Sequence, residues 1–273
     1  MSESRCDLLI YNGLERTSSE LDRSLFYSDY SIYEVVRVID RRAIFLEDHL
    51  ERLENSIEAG SKTMLLDISE ISVAVNMLID KVLVENGNIK ISFNYTPDGN
   101  YSLIYFIDAL YPDASLYKSG VDTILFEAIR TKPDIKLINY LLRSQIYDKL
   151  VMMGAYEAFL VNSNNCITEG SKSNVFFIKD DTIITAPDGT VLPGITRKYI
   201  ISLCEKHGIL LDNRCLKVDE IADVESVFIT GTSPKVLPVR SLDDHIFDVN
   251  HKQLRFLMSA YDDLIENYTR RKR

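Results

Sequence analysis

Five features of the 273-residue chain have the chemistry of a site, although they lie far apart along it. Lys136 stands in "PDIKLINYLL". An amine kept partly deprotonated by burial or by a cationic neighbour can attack a carbonyl and form an imine. Glu169 stands in "TEGSKSNVFF", at the lip of a polar turn that runs straight into strand-forming residues. "LPGITRKYIISL" sets Gly194, Ile195 and Thr196 at the mouth of a helix, where free N–H groups suit an anion. "FITGTSPKVLPV" follows a strand with Gly231, Thr232 and Ser233, a second turn with amides and hydroxyls. Arg52 is a permanent cation on a helix, able to grip an anion with two parallel N–H groups. These are the parts that a phosphorylated aldehyde cofactor would demand: an imine-forming amine, an acid against a ring nitrogen, and a cradle for a phosphate dianion. Singly, each has a plainer reading. Lys136 is then a surface lysine, Glu169 a solvated turn residue, the two loops an ordinary cap and turn, and Arg52 a partner for Glu47 or Glu51.

Other chemistries find less support. The formal net charge of −10 disfavours a nucleic-acid partner, and the basic "RRKR" of residues 270–273 reads as a solvated tail. His49, His207, His245 and His251 form no i, i+4 pair and have no cysteine nearby, so no metal site is expected. "SLYK" (Ser115 to Lys118) matches a short serine–lysine pattern, but the companion motifs are missing, and no nucleotide-binding glycine loop is present. Cys6, Cys166, Cys204 and Cys215 are scattered, which reads as reduced thiols in a cytoplasmic protein. No signal peptide and no membrane span is expected.

The elements that must position these residues read as mixed α+β. "YEVVRVID" and "RRAIFLEDH" are β-rich, and "DHLERLENSIEAG" is a helix stopped by Gly60. A second helix is expected over "SEISVAVNMLIDKVLVENG", capped by Ser69 and ended by Gly87. "NIKISFNY" and "YSLIYFIDAL" flank the turn "TPDGN". After a linker at "YPDASLYKSG" come the strand "VDTILFEAIR", a helix from about residue 139 to residue 153, and the strand "YEAFLVN". A hairpin around Asp180-Asp181, a helix closed by Gly208, a strand-rich stretch and a last helix complete the chain. We expect a smaller N-terminal α+β domain over 1–112, a linker at 113–121, and a larger domain over 122–273.

In this order and spacing, "YEVVRVIDRRAIFLEDHLERLENS", "IKLINYLL", "TEGSKSNVFF", "LPGITR" and "GTSPKVLPV" resemble the fold-type IV family of pyridoxal-phosphate enzymes. That family includes branched-chain aminotransferases, D-amino acid aminotransferases and aminodeoxychorismate lyases. The resemblance implies a two-domain fold, an α/β sandwich-like N-terminal part and a pseudo-barrel C-terminal part that binds pyridoxal 5'-phosphate. It makes Lys136 the catalytic Schiff-base lysine and proton shuttle, Glu169 the acid at the pyridine nitrogen, and Tyr140 the partner of the phenolic oxygen. Arg52, the Ile195 and Thr196 amides and Thr232 become the phosphate clamp. Tyr33, Thr232 and Ser233 border the substrate. The activity implied is transamination between a small, branched-chain-like amino acid and a 2-oxo acid in a cytoplasmic homodimer. A lyase releasing 4-aminobenzoate and pyruvate, and an inactive relative acting as a binding protein, are the alternatives.

The chain also departs from the family pattern. "YSDYSIYE" carries serine and tyrosine where glycines are expected, and Val35 stands in place of a threonine of typical lyases. "NIKISFNYTPDG" lacks an arginine that several members use on a substrate carboxylate; Lys90 could serve instead, and its plainer reading is an edge lysine facing water.

Overall fold

The computed structural model describes residues 4–28 and 30–271, so Asp29 of "YSDYSIYE" and the last two residues of the basic tail lie outside the described residues. The chain forms two units. One holds the described residues up to Leu110, residues 135–139, and those from Ile265 on. Its elements are β1 (Ser4–Tyr11), β2 (Leu14–Thr17), β3 (Ser31–Ile39), β4 (Arg42–Ala43), α1 (Leu46–Ala59), α2 (Ile68–Val82), β5 (Gly87–Thr96) and β6 (Gly99–Ile107). The strands make a six-stranded antiparallel sheet in the order β2-β1-β6-β5-β3-β4.

Period-two alternation gives this sheet two unlike faces. Ile32, Val36, Ile89, Ile91, Phe93, Ile104 and Phe106 belong to one core with Leu50, Leu53 and Ile57 of α1 and Ile71, Val75 and Leu78 of α2. The alternate positions carry Ser31, Tyr33, Lys90, Ser92, Asn94 and Tyr105. The β5–β6 hairpin closes at Thr96 and Gly99 around Pro97-Asp98, within the expected turn.

Three local expectations change. The β-rich reading of "RRAIFLEDH" ends at Ala43, because Phe45 turns left-handed (φ 53°) and α1 begins at Leu46. Asp67, not Ser69, caps α2, in a capping box with Glu70. That helix ends at a left-handed Leu83, four residues before Gly87, which opens β5 instead.

The second unit holds residues 111–134 and 140–264. Its elements are α3 (Leu116–Ser119), β7 (Val121–Glu127), α4 (Tyr140–Met153), β8 (Glu157–Val161), β9 (Cys166–Gly170), β10 (Asn174–Lys179), β11 (Thr182–Thr185), α5 (Ile195–His207), β12 (Leu211–Asn213), β13 (Leu216–Lys217), β14 (Ser226–Gly231), β15 (Lys235–Leu242), β16 (His245–Ile246) and α6 (Lys252–Arg271), the end of which joins the first unit. Residues 113–121, read as a linker, thus belong to this unit and supply the single turn of α3. The ten-stranded sheet is mixed, with the path β12-β11-β10-β14-β15-β7-β8-β9-β13 and β16 beside β15. The β10–β11 hairpin turns at Asp180 and Asp181, both left-handed, as a tight two-residue turn demands. Gly208 closes α5 at φ 66°. Phe159, Val175, Phe177, Val227, Ile229, Leu237 and Val239 fill the core. Two α+β units, one built on each sheet, are the architecture expected.

Candidate active site

The chain around Lys136 is fixed by its backbone. The first residues of β3, short of its pairing with β4, take it up as a short strand mimic: Tyr33 N donates to Lys136 O (3.1 Å), Ile138 N donates to Ser31 O (3.3 Å), and Leu137 bridges Ile32. Because β3 pairs with β5 on its other side, this edge is what positions the amine. The Lys136 Nζ comes to rest 5.3 Å from the centre of the Tyr33 ring. The half-buried amine is no freely solvated surface lysine.

One residue along β3, Glu34 points the other way, into α1, and is fully buried. It accepts from Arg52 twice, Nε to Oε1 at 2.7 Å and Nη2 to Oε2 at 2.6 Å, and from His49 Nδ1 at 2.8 Å. Burial alone would raise the Glu34 carboxyl's pKa. The charge of Arg52, the hydrogen bonds and the charge of Lys136 outweigh that and hold it below the usual carboxylate range. Burial lowers the pKa of His49 against the pull of Glu34, and Arg52 and Lys136 act in the same direction. The ring is therefore held neutral, with its proton on Nδ1, since a carboxylate only accepts. Arg52 thus finds a partner across the fold, in Glu34 of β3. Lys90 departs from expectation as well. It lies on β5, an inner strand, is 5% exposed, and its Nζ sits 5.9 Å from the Tyr33 ring and 5.7 Å from the Tyr105 ring.

The second unit carries the acid and the anion loops. Glu169 is the penultimate residue of β9 and 2% exposed, so the solvated-turn reading fails. Arg130 Nε lies 2.8 Å from its Oε1, and Leu192 N donates to its Oε2 at 3.1 Å. Asn174, first residue of β10, ties the neighbouring loops together. It donates to Leu192 O (2.9 Å) and pairs with Thr230 of β14, which leads into the Thr232–Ser233 turn. Its Oδ1 would lie 2.0 Å from a Cβ at position 194, so only glycine fits there. Gly194 is the N-cap of α5 and has no side chain to accept from the first-turn amides, which leaves Ile195 and Thr196 suited to an anion from outside the helix. Thr196 Oγ1 is 3.2 Å from Tyr261 Oη. Glu169, the turn after it, the mouth of α5 and the Thr232–Ser233 turn therefore share one end of the sheet.

The sequence-predicted residues group by unit. Tyr33, Arg52 and Lys136 converge in the first, and Glu169, Ile195, Thr196, Thr232 and Ser233 in the second. Tyr140 opens α4 of the second unit and is 37% exposed. Sequence reasoning missed Glu34, His49, Arg130 and Asn174 as members of these clusters. Only Glu34 left a trace, as a lone carboxylate within an apolar strand. Among the described residues no three of His, Cys, Asp and Glu converge as metal donors. Taken unit by unit, the residue types fit the parts of a phosphorylated pyridine aldehyde: a lysine amine in the first, and a buried acid and a glycine-capped helix mouth in the second.

Comparison with known proteins agrees. Residues 31–242 match the family described as amino-transferase class IV. The chain is 28% identical to a D-alanine aminotransferase of Bacillus licheniformis, over 86% of this chain and 88% of that one. It is 29% identical to a probable branched-chain-amino-acid aminotransferase of Thermotoga maritima, over 88% and 89%. Its fold superposes on the branched-chain amino acid aminotransferase of Escherichia coli with a TM-score of 0.86 at 22% identity, covering 96% and 95%. With a match over most of its length and the same two-unit fold, the chain belongs to the class IV aminotransferases, enzymes that work with pyridoxal phosphate.

Proposed function

We propose that the protein transfers an amino group between a small, branched-chain-like amino acid and a 2-oxo acid in a two-stage cycle, with the amine of Lys136 as covalent anchor and proton carrier. The observation that carries this reading is the placement of Lys136, whose backbone is bonded into the β3 edge with its amine against Tyr33 and within the field of Glu34. Bound pyridoxal phosphate supplies an electrophilic carbon and an electron-withdrawing ring, so that a substrate Cα–H becomes acidic. The chain's own groups do the rest. Glu169, steadied by Arg130 and the Leu192 amide, would hold a proton at the ring nitrogen. The Ile195 and Thr196 amides, Arg52 and Thr232 would hold the phosphate, Tyr140 the phenolic oxygen, and the Thr232–Ser233 amides the substrate carboxylate. Lys136 would take the proton from the substrate Cα and return it to the carbon on the other side of the nitrogen, and Tyr33 flanks it.

A homodimer is part of this reading. Helix α4 buries only Ile146 and Leu150 and leaves Leu141, Tyr147, Val151 and Met152 exposed, an apolar face of the kind that subunits cover. Light scattering should give twice the chain mass. Borohydride reduction followed by peptide mapping should place a pyridoxyl label on Lys136, and label elsewhere or nowhere overturns the assignment. A screen of L- and D-amino acids then tests the donor: keto-acid formation from leucine, isoleucine or valine is expected, whereas pyruvate release from aminodeoxychorismate would make the protein a lyase.

A further inference from the structure

We infer that Glu157 is a positioning residue for Glu169, acting through the turn that follows it; the link to catalysis rests on the proposed role of Glu169, while the positioning itself does not. Glu157 opens β8 and is 4% exposed. A carboxylate in that place needs donors, and it collects five. Oε1 accepts from Ala158 N (2.9 Å), Ser171 N (3.1 Å) and Ser171 Oγ (2.5 Å). Oε2 accepts from Lys172 N (3.2 Å) and Ser173 Oγ (3.0 Å). Four of the five come from residues 171–173, so the turn is wound around the carboxylate. It is the arrangement by which backbone amides bind an anion, with the protein's own side chain in the anion's place.

The winding is tight. Gly170, next to Glu169, donates its N–H to Ser173 O (2.8 Å), and a Cβ there would lie 2.1 Å from Ser173 Oγ and 3.2 Å from Glu157 Cδ. The residues at the two ends of this turn are the ones that matter to the site. Glu169 precedes it and takes the Leu192 N–H; Asn174 follows it and donates to the Leu192 carbonyl. Both sides of Leu192 are thus held from a turn whose shape Glu157 sets. Without that carboxylate the donors of residues 171–173 lose their common acceptor, and the Glu169 side chain loses its fixed stance.

Three measurements test this on the full chain. In Glu157→Gln without cofactor, the Leu192 amide should exchange with solvent about tenfold faster, while core amides such as Phe228 keep their protection. In the loaded protein, the pH dependence of the visible band should shift in the same direction as in Glu169→Gln. The double variant Glu157→Gln/Glu169→Gln should be no slower than Glu169→Gln alone, because both changes act on one group. Ser173→Ala, which leaves the carboxylate its backbone donors, should show the same exchange effect more weakly and serves if Glu157→Gln does not fold. Unchanged relative exchange at Leu192, or rate losses that multiply in the double variant, would overturn the inference. The exchange experiment needs no cofactor, so it fails or succeeds independently of the label at Lys136.

Discussion

The two units bury carboxylates by opposite means. In the first, Glu34 is balanced by formal charge: a guanidinium grips both its oxygens, and the Lys136 ammonium adds its field. In the second, Glu157 is held by uncharged dipoles alone, three backbone amides and two hydroxyls. The first arrangement couples a carboxylate to two other ionisable groups, so the charge of each affects the rest. The second spends its carboxylate on backbone shape, and its charge joins burial in raising the pKa of the adjacent Tyr156. Glu169 stands between these extremes, with an arginine on one oxygen and an amide on the other.

The contrast gives a ranked set of outcomes. Glu34→Gln leaves the Arg52 guanidinium buried without this carboxylate and should cost about 3–5 kcal/mol in urea unfolding of the unit that contains it. Glu157→Gln changes no neighbouring charge, but it turns an amide N–H toward a ring of donors, and should cost about 1–3 kcal/mol. If the two costs were equal, the distinction between charge-held and dipole-held carboxylates would have no energetic content here.

Acid separates the units further. The pKa of His49 is lowered in the folded chain from 6.5, so below about that pH the unfolded chain binds a proton that the folded one refuses. Glu34, lowered from 4.5, adds stability that is complete above that value and drains away as the pH falls further. Stability measured down from pH 7 should therefore fall in two stages, and His49→Gln should remove the upper stage only. The smallest effect is expected for Ser173→Ala, about 1 kcal/mol or less, because one neutral donor of five is lost.

What the sequence made legible follows from how local the signals were. The Asp180-Asp181 turn, the Gly208 stop and the β5–β6 hairpin were readable because each is decided by a few adjacent residues. The start of α1 was not, because Phe45 adopts a left-handed conformation that its residue type gives no warning of. Strands β1 and β2 were passed over, since "SRCDLLIY" alternates only weakly. Lys90 was misplaced because strand order is a property of the whole sheet, and "NIKISFNY" does not say that β5 has neighbours on both sides. The site residues proposed from the sequence are those set in contiguous motifs. Their partners were missed, since Glu34 meets Arg52 across 18 positions and Glu157 meets Ser173 across 16.

The route of the chain also constrains its synthesis. The first unit is built mainly from residues up to Leu110, yet it is completed by residues from 265 on, where Tyr268 stacks edge-on against Phe45 and bonds to Glu47. A ribosome delivers all six strands of that sheet long before the segment that finishes the packing around Phe45. The nascent N-terminal portion must therefore wait, incompletely covered, until the residues from 265 on have been made, and a chain stopped ahead of them would leave that aromatic surface bare.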